Sequence, residues 1–147
     1  MLISGQWLWC DDGIVRPAIR GEILADDGSW KTFEFLVDTG ADRTVFSAAT
    51  LAKLSLQPVT AEEGISGLGG RAASVLVETQ IRLTRETSAK VVFRGRYAAV
   101  TELASLDIDV LGRDITGLFT VIVDQPGDVV CMLGQRHRYT IEQISRS

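Results

Sequence analysis

An apolar strand that runs directly into an acid and a glycine turn is the feature that most constrains this chain. Phe35, Leu36 and Val37 are followed without a spacer by Asp38-Thr39-Gly40. A carboxylate at such a strand end is fixed by the sheet and still exposed at a loop, where catalytic groups are often held. The same residues also suit an ordinary turn, because Asp and Gly favour turns for conformational reasons alone. This segment by itself leaves both interpretations open.

The rest of the sequence predicts a mostly β chain with one or two short helices. A turn at Asp27-Gly28 indicates a hairpin, and Trp7 and Trp9 indicate an N-terminal edge strand. The other predicted strands are Ile19–Leu24, Lys31–Val37, two arms of a long hairpin from Val59 to Leu83, Ala89–Val100 with a break at Gly95, Asp109–Leu111, Phe119–Asp124, Val129–Leu133 and Tyr139–Ile144. The predicted helices are Ser47–Leu54, which Ser47 would cap, and about Arg113–Leu118.

Length and charge narrow the class of protein. The 147 residues suffice for one compact domain, so residues 1–147 are predicted to form a single domain. The formal net charge is −4, and phosphate binding needs a clustered positive surface, so we expect no nucleic-acid partner. No apolar run is long enough to span a bilayer, so we expect no membrane association.

The two cysteines and the N-terminal residues indicate the cellular compartment in which the protein is expected. Cys10 and Cys131 lie far apart and match no metal-ligand spacing, so we expect two reduced thiols and no metal or other cofactor. A disulfide between them is the open alternative. The first ten residues lack the pattern of a secretory leader, and together with reduced cysteines this predicts a cytoplasmic protein.

Two further segments favour a catalytic carboxylate at Asp38 over an ordinary turn. A glycine-rich hairpin tip spans Gly64–Gly70, and Val110-Leu111-Gly112-Arg113-Asp114 follows about seventy residues after Asp38. In this order the three segments resemble the retropepsin family, the retroviral-type aspartic peptidases. The resemblance covers about Leu24 to Phe119. It implies a closed-barrel acid-protease fold with one lobe per chain and two short helices at most.

The resemblance also implies a role for each matching residue. Asp38 would be the catalytic acid, Thr39 would hydrogen-bond across a dimer, and Gly40 would allow a sharp turn close to substrate. Arg113 would form a bidentate bridge to Asp42, which ties the active-site loop to the second helix. The residues implied to bind substrate are Ala41, Asp42, Ile65, Gly67 and Leu68, and those implied to support the loop are Gly112 and Arg113.

The chemistry that the resemblance implies needs two chains. Two carboxyls that share a site cannot both ionise easily, so one keeps its proton and polarises the scissile carbonyl while the other activates a water. The chain carries one Asp-Thr-Gly triplet, and a symmetric homodimer would supply the second Asp38. The N- and C-terminal strands are candidates for the dimer sheet, and the groove would suit an extended peptide or protein segment.

Ala41 bears on the pH dependence of this chemistry. Family members with Ser at this place can hydrogen-bond the ionised catalytic acid, and Ala cannot. We therefore expect activity at mildly acidic to near-neutral pH rather than at strongly acid pH.

Other functions fit the sequence less well. A phosphoaspartate enzyme of the haloacid dehalogenase type needs a second acid where Gly40 stands. His137 is the single histidine, and no Ser or Cys lies in an elbow-like setting, so a hydrolase triad is disfavoured. Two alternatives stay open. One is a catalytically silent domain of the same fold that binds peptide or merely dimerises. The other is a monomeric precursor that becomes active only when a partner or a high concentration drives two chains to pair.

Overall fold

The computed structural model describes residues 1–67, 70–134, 140 and 142, with backbone alone at 60–67 and 70–72. These residues contain eleven strands and two helices. The strands are β1 (Leu2–Ser4), β2 (Gln6–Trp9), β3 (Val15–Leu24), β4 (Trp30–Val37), β5 (Val45–Phe46), β6 (Thr60–Gly67), β7 (Gly70–Thr84), β8 (Lys90–Val100), β9 (Asp109–Leu111), β10 (Thr120–Asp124) and β11 (Val129–Leu133). The helices are α1 (Ala48–Leu54) and α2 (Arg113–Thr116).

Six of the strands close into a barrel. Their order is β3-β4-β9-β5-β8-β7, and β7 returns to β3 through the pairs Glu22↔Arg82 and Ile23↔Ile81. The pairs β4–β9 and β5–β8 are parallel, and the others in the ring are antiparallel. β2 extends the sheet beyond β3, and β6 extends it beyond β7. The mostly β, closed-barrel prediction is confirmed.

Local sequence signals explain the elements next to Asp38. The β3–β4 hairpin turns at Gly28, whose φ of +83° favours glycine. In β4, the side chains of Phe35 and Val37 are buried in the main hydrophobic core. Successive side chains of a strand point to opposite faces, so these two residues share the face that covers the core. Helix α1 begins after Ser47, whose side chain accepts a hydrogen bond of 3.2 Å from the Thr50 N–H.

Several predicted boundaries differ from the structure. β8 runs without a break through Gly95, which pairs with Thr79, so the predicted interruption is wrong. Helix α2 ends at Thr116 rather than at Leu118, because the N–H groups of Leu118 and Phe119 bond three residues back in tight turns. The predicted strand Tyr139–Ile144 falls largely outside the described residues. The two helices, the edge position of β2 and the hairpin arms are otherwise confirmed.

A separate three-stranded sheet is formed by the two ends of the described chain. Its order is β1-β11-β10, with both pairs antiparallel. Ile3 and Met132 pair directly and face the main core. Cys131 in β11 and Cys10 are free thiols, so the alternative of a disulfide between them is wrong.

Membrane-spanning helices were sought over the described residues. None of the helices there is long and apolar enough to cross a bilayer.

Candidate active site

Asp38 stands at the end of β4 in a turn closed by hydrogen bonds. Its N–H donates to the Leu111 carbonyl at 3.1 Å, which extends the β4–β9 pairing by one residue. Its carbonyl accepts the Ala41 N–H at 3.2 Å, and its carboxylate Oδ1 accepts the Gly40 N–H at 3.0 Å. The carboxylate is therefore oriented by its own loop and is only partly buried in a single chain.

The space beside the Asp38 carboxylate favours glycine at position 40. Its φ is not positive, so the sharpness of the turn does not by itself demand glycine. A Cβ at this position would lie 3.3 Å from the Asp38 Oδ1, which is tighter than most real Cβ contacts. Gly40 thus keeps space beside the carboxylate and lets its own N–H reach it.

Arg113 joins the Asp38 loop to α2, although not as a bidentate bridge. One guanidinium nitrogen, Nη2, pairs with the Asp42 Oδ1, while Nη1 donates to the Thr39 carbonyl at 3.1 Å. The backbone adds a third link, from the Arg113 N–H to the Ala41 carbonyl at 2.8 Å. The predicted Asp42–Arg113 pair is present, but its bidentate geometry is wrong because the second nitrogen bonds the loop backbone.

A set of hydrogen bonds that is buried at Thr44 and Gly112 and open to solvent at Asp114 lies beside this exposed pair. Both carboxylate oxygens of Asp114 accept the Thr44 N–H at 3.0 Å, and Oδ1 also accepts the Thr44 hydroxyl at 2.7 Å. The same hydroxyl oxygen accepts the Gly112 N–H at 3.1 Å. We call Thr44, Gly112 and Asp114 the buried lock. It fixes the end of the Asp38 loop against the start of α2 and depends on Thr44, which sequence reasoning missed.

The Thr44 hydroxyl is expected to contribute measurably to stability. Thr44→Val keeps the shape but leaves the Gly112 N–H without its acceptor, so the free energy of unfolding should fall by about 1–3 kcal/mol. Thr44→Ser keeps the hydroxyl and loses one methyl group, which should cost only about 0.8 kcal/mol. Urea unfolding of the three proteins measures both effects. Equal stability of the Val variant and the wild type would contradict the lock.

Asp109 is a second buried acid that sequence reasoning missed. It opens β9, and its two oxygens accept the Ser47 N–H at 2.8 Å and the Thr50 hydroxyl at 2.9 Å. Burial raises the pKa of Asp109, and these hydrogen bonds act in the opposite direction. The only sequence signal was an acid inside an apolar segment. Asp109 anchors the N-terminus of α1 to the strand that leads into Gly112.

Asp109 is expected to make stability depend on pH. Its pKa is raised in the folded state, so the folded protein holds the proton more tightly than the unfolded chain does. The stabilisation that protonated Asp109 gives the folded state is therefore complete below the ordinary Asp pKa of 3.8. It is lost as pH rises through the pKa of Asp109 in the folded protein. Asp109→Asn keeps one oxygen to accept the Ser47 N–H, and its amide can donate to the Thr50 hydroxyl oxygen in place of the second bond. Because Asn carries no charge, the stability of this variant relative to wild type should increase from pH 4 to pH 7.

The control for this pH effect is Asp27→Asn. Hydrogen bonds from Ser29 lower the pKa of Asp27, so this exposed carboxylate stabilises above its ordinary pKa and loses that contribution in acid. Its Asn variant should become less stable relative to wild type as pH rises. Thermal unfolding from about pH 2 to pH 7 compares the two, with the Asp27 change expected mostly below pH 4 and the Asp109 change above it. Slopes of the same sign would contradict the assignment for Asp109.

A small apolar cluster lies on the side of the sheet that carries Asp38. Its buried members are Val45, Ala98, Val100 and Val110, and Leu36, Ala41, Leu76 and Leu106 pack against them. Leu36 lies two residues before Asp38, so both side chains leave the same face of the strand. A groove of about 480 Å³ continues from Leu36 and Leu106 toward Trp9 and Arg16. The apolar cluster thus reaches the Asp38 loop at Ala41, whose N–H bonds the Asp38 carbonyl, and it shares Leu36 and Leu106 with the groove.

The glycine-rich hairpin is formed by β6 and β7. Ile65 pairs with Ala72 and Gly67 pairs with Gly70, with an irregularity in register between Glu62 and Ile65. Leu68 lies outside the described residues, and the side chain of Ile65 is not described. The structure therefore brings Asp38–Asp42 together with Gly112 and Arg113.

Comparison with known families identifies this arrangement. A family model described as aspartyl protease matches residues 19–135, about four fifths of the chain. The chain belongs to the aspartyl protease family. The match includes the Asp38 loop, both arms of the glycine-rich hairpin and the buried lock. No curated protein sequence matches the chain.

Solved structures of aspartyl proteases share the fold. An EIAV protease in complex with the inhibitor HBY-793 is 24% identical, with a TM-score of 0.52 over 69% of this chain and 86% of that one. A retropepsin-like aspartic protease from Rickettsia conorii is 18% identical, with a TM-score of 0.54 over 90% of this chain and 88% of that one. At these identities the likeness shows the fold alone, which confirms the retropepsin-like, single-lobe prediction.

Proposed function

We propose that two copies of this chain form an aspartic endopeptidase with one active site at their interface. The observation that carries this proposal is the Asp38 carboxylate, held by the Gly40 N–H in a loop that Arg113 and the buried lock fix to α2. Membership of the aspartyl protease family supports a peptidase. The chain has one such triplet, and Thr39 is exposed beside it, where a partner could bind.

In the proposed mechanism the two Asp38 carboxyls share one proton. The ionised carboxylate accepts a proton from a water molecule, whose oxygen attacks the scissile carbonyl carbon. The protonated carboxyl donates to the carbonyl oxygen as negative charge develops there. The resulting tetrahedral intermediate breaks its C–N bond when the amine nitrogen is protonated. No covalent enzyme intermediate is needed, and each Asp exchanges roles with the other over the cycle.

The substrate class follows from the surroundings of Asp38. An apolar cluster next to the carboxylate favours aliphatic or aromatic side chains beside the scissile bond. The groove that shares Leu36 with this cluster has a volume of about 480 Å³, which gives room for further residues of a peptide chain. The proposed substrate is therefore an extended peptide or protein segment of several residues with apolar side chains at its centre.

A random peptide library incubated with the wild-type protein tests the activity, and sedimentation tests the dimer. We expect cleavage between apolar residues, with activity per chain rising with protein concentration in the range where dimers form. The pH optimum is expected at mildly acidic to near-neutral pH, and an optimum below about 3 would contradict that expectation. Peptide binding without any cleavage, including self-cleavage, would favour the silent binding domain instead.

A further inference from the structure

The groove that shares Leu36 with the apolar cluster is built partly by residues that the family match does not cover. This groove of about 480 Å³ is lined by the β2–β3 hairpin, by β4, by α1 and by the segment 106–109. β2 and the first four residues of β3 precede residue 19, where the family match begins. The hairpin residues in the lining are Leu8, Trp9, Cys10, Asp11 and Arg16. We call this cavity the hairpin groove, and family membership does not account for its hairpin side.

The floor of the hairpin groove follows β4 away from Asp38. Leu36 and Glu34 line the groove two and four residues before Asp38, so the three side chains leave the same face of the strand. At a rise of about 3.3 Å per residue, Glu34 lies about 13 Å from Asp38 along the strand. An extended peptide has nearly the same rise. A peptide whose scissile bond lies at Asp38 therefore needs about four residues to reach Glu34.

The charged residues of the hairpin groove leave an excess of negative charge. Asp109 is buried and already accepts the Ser47 N–H and the Thr50 hydroxyl. Arg16 is neutralised by Asp12, to which it donates two hydrogen bonds of 2.9 and 2.6 Å. The charged residues that remain in the lining are the acids Asp11, Glu34 and Asp107 and the base Lys53. A positively charged group is therefore favoured as the occupant of the groove.

The three remaining acids have acceptor oxygens to spare. Glu34 accepts the Arg20 Nε–H through Oε1 at 2.9 Å, while its Oε2 is shielded from solvent and accepts no hydrogen bond within the described part of the chain. Asp11 and Asp107 are exposed, and neither carboxylate has a partner among the described residues. A shielded carboxylate oxygen without a donor costs free energy that an N–H group of a ligand can recover. Guanidinium and ammonium groups form the strongest such hydrogen bonds.

We propose that the hairpin groove binds an arginine or lysine side chain of the substrate about four residues from the scissile bond. This inference rests on the proposed endopeptidase and adds a second substrate feature to the apolar side chains at the centre. A two-fold dimer presents one hairpin groove on each side of the scissile bond, so a basic residue is favoured on both sides. Arginine is favoured over lysine, because its planar guanidinium can bond two carboxylate oxygens at once.

A positional scan of the substrate tests this specificity. In the best peptide from the random library, Arg, Ala and Glu are placed in turn at each position from two to six residues on either side of the scissile bond. Arg about four residues away should raise kcat/KM about fivefold over Ala, and Glu there should lower it. The gain should appear mostly in KM, because a remote group binds the ground state and the transition state alike. Equal cleavage of the three peptides at every position would overturn the proposal.

Removal of the exposed acids provides a second test. In the double variant Asp11→Asn, Asp107→Asn the ratio of kcat/KM for the Arg peptide to that for the Ala peptide should fall from about five to between one and two. The matched control is Asp26→Asn, Asp128→Asn, which removes the same net charge at two exposed turns outside the groove. The control should keep the ratio of about five, and urea unfolding checks that both double variants are folded. Equal ratios in the two double variants would exclude the groove.

A binding measurement separates the groove from the activity. Cleavage of peptides without any preference for Arg would overturn the hairpin groove and leave the proposed endopeptidase standing. If no peptide is cleaved, fluorescence anisotropy compares two labelled peptides with an apolar centre, one carrying Arg and one Ala four residues from that centre. Tighter binding of the Arg peptide that is lost in the Asp11→Asn, Asp107→Asn variant would uphold the groove and overturn the proposed function. Equal binding of the two peptides would overturn both.

Discussion

Replacement of Asp38 by Asn is expected to lower kcat/KM for peptide cleavage by about 10³-fold or more. Asn has nearly the same shape and can still accept the Gly40 N–H, so the loop should keep its conformation. It can neither accept the proton of the attacking water nor share a proton with a second carboxyl, and such proton transfers contribute about 10²–10⁴-fold to catalysis. Cleavage of the best peptide from the library, assayed with both proteins, measures the loss.

The matched control is Asp26→Asn, in the hairpin turn at the opposite end of β4. It makes the same chemical change away from the Asp38 loop and should leave kcat/KM within about twofold. Sedimentation should give the same dimer for all three proteins. Full activity of the Asp38→Asn protein would exclude the proposed role of Asp38.

Mixing the wild type with the Asp38→Asn variant tests whether one active site needs two chains. After free exchange in an equimolar mixture, about one quarter of the dimers carry two intact Asp38 residues. Activity should then be about one quarter of that of the same total concentration of wild type. A value of about one half would mean that each chain acts alone, and the shared-site mechanism would fail.

The sequence was most informative where structure is local. The turn at Gly28, the capping of α1 by Ser47 and the strand that leads into Asp38 depend on neighbouring residues, and all were predicted. The Asp42–Arg113 pair was also foreseen, through resemblance to a family rather than through spacing. Its geometry was not, because the Thr39 carbonyl competes for the second nitrogen only once the loop has folded.

Contacts between distant residues could not be read in the same way. Thr44 and Asp114 are seventy residues apart, and Asp109 lies 59 residues from Thr50, so no local pattern reveals either pairing. The break predicted at Gly95 was wrong for a related reason. A glycine weakens a strand locally, but Gly95 pairs with Thr79 of β7, and β8 therefore continues through this position without interruption.

Substitution of Gly112 by Ala is expected to be the most destabilising single-methyl change in the active-site region. An added Cβ would overlap the backbone carbonyl of Arg43 and lie 2.8 Å from its Cα. Backbone atoms cannot rotate away as a side chain can, so either the Asp38 loop or the start of α2 must move. Such movement would also stretch the bond between the Gly112 N–H and the Thr44 hydroxyl. We expect a loss of about 3 kcal/mol in the free energy of unfolding.

Gly95→Ala is the control for this prediction, because the nearest atom to its added Cβ is the Tyr97 hydroxyl at 3.7 Å, an ordinary contact. Its stability should change by less than about 1 kcal/mol, and the sign can be favourable since Ala is less flexible than Gly when unfolded. Urea unfolding measures both variants, and peptide cleavage is assayed where each is folded. If Gly112→Ala is as stable and as active as Gly95→Ala, the loop is not rigidly held, and the orientation of Asp38 must have another source.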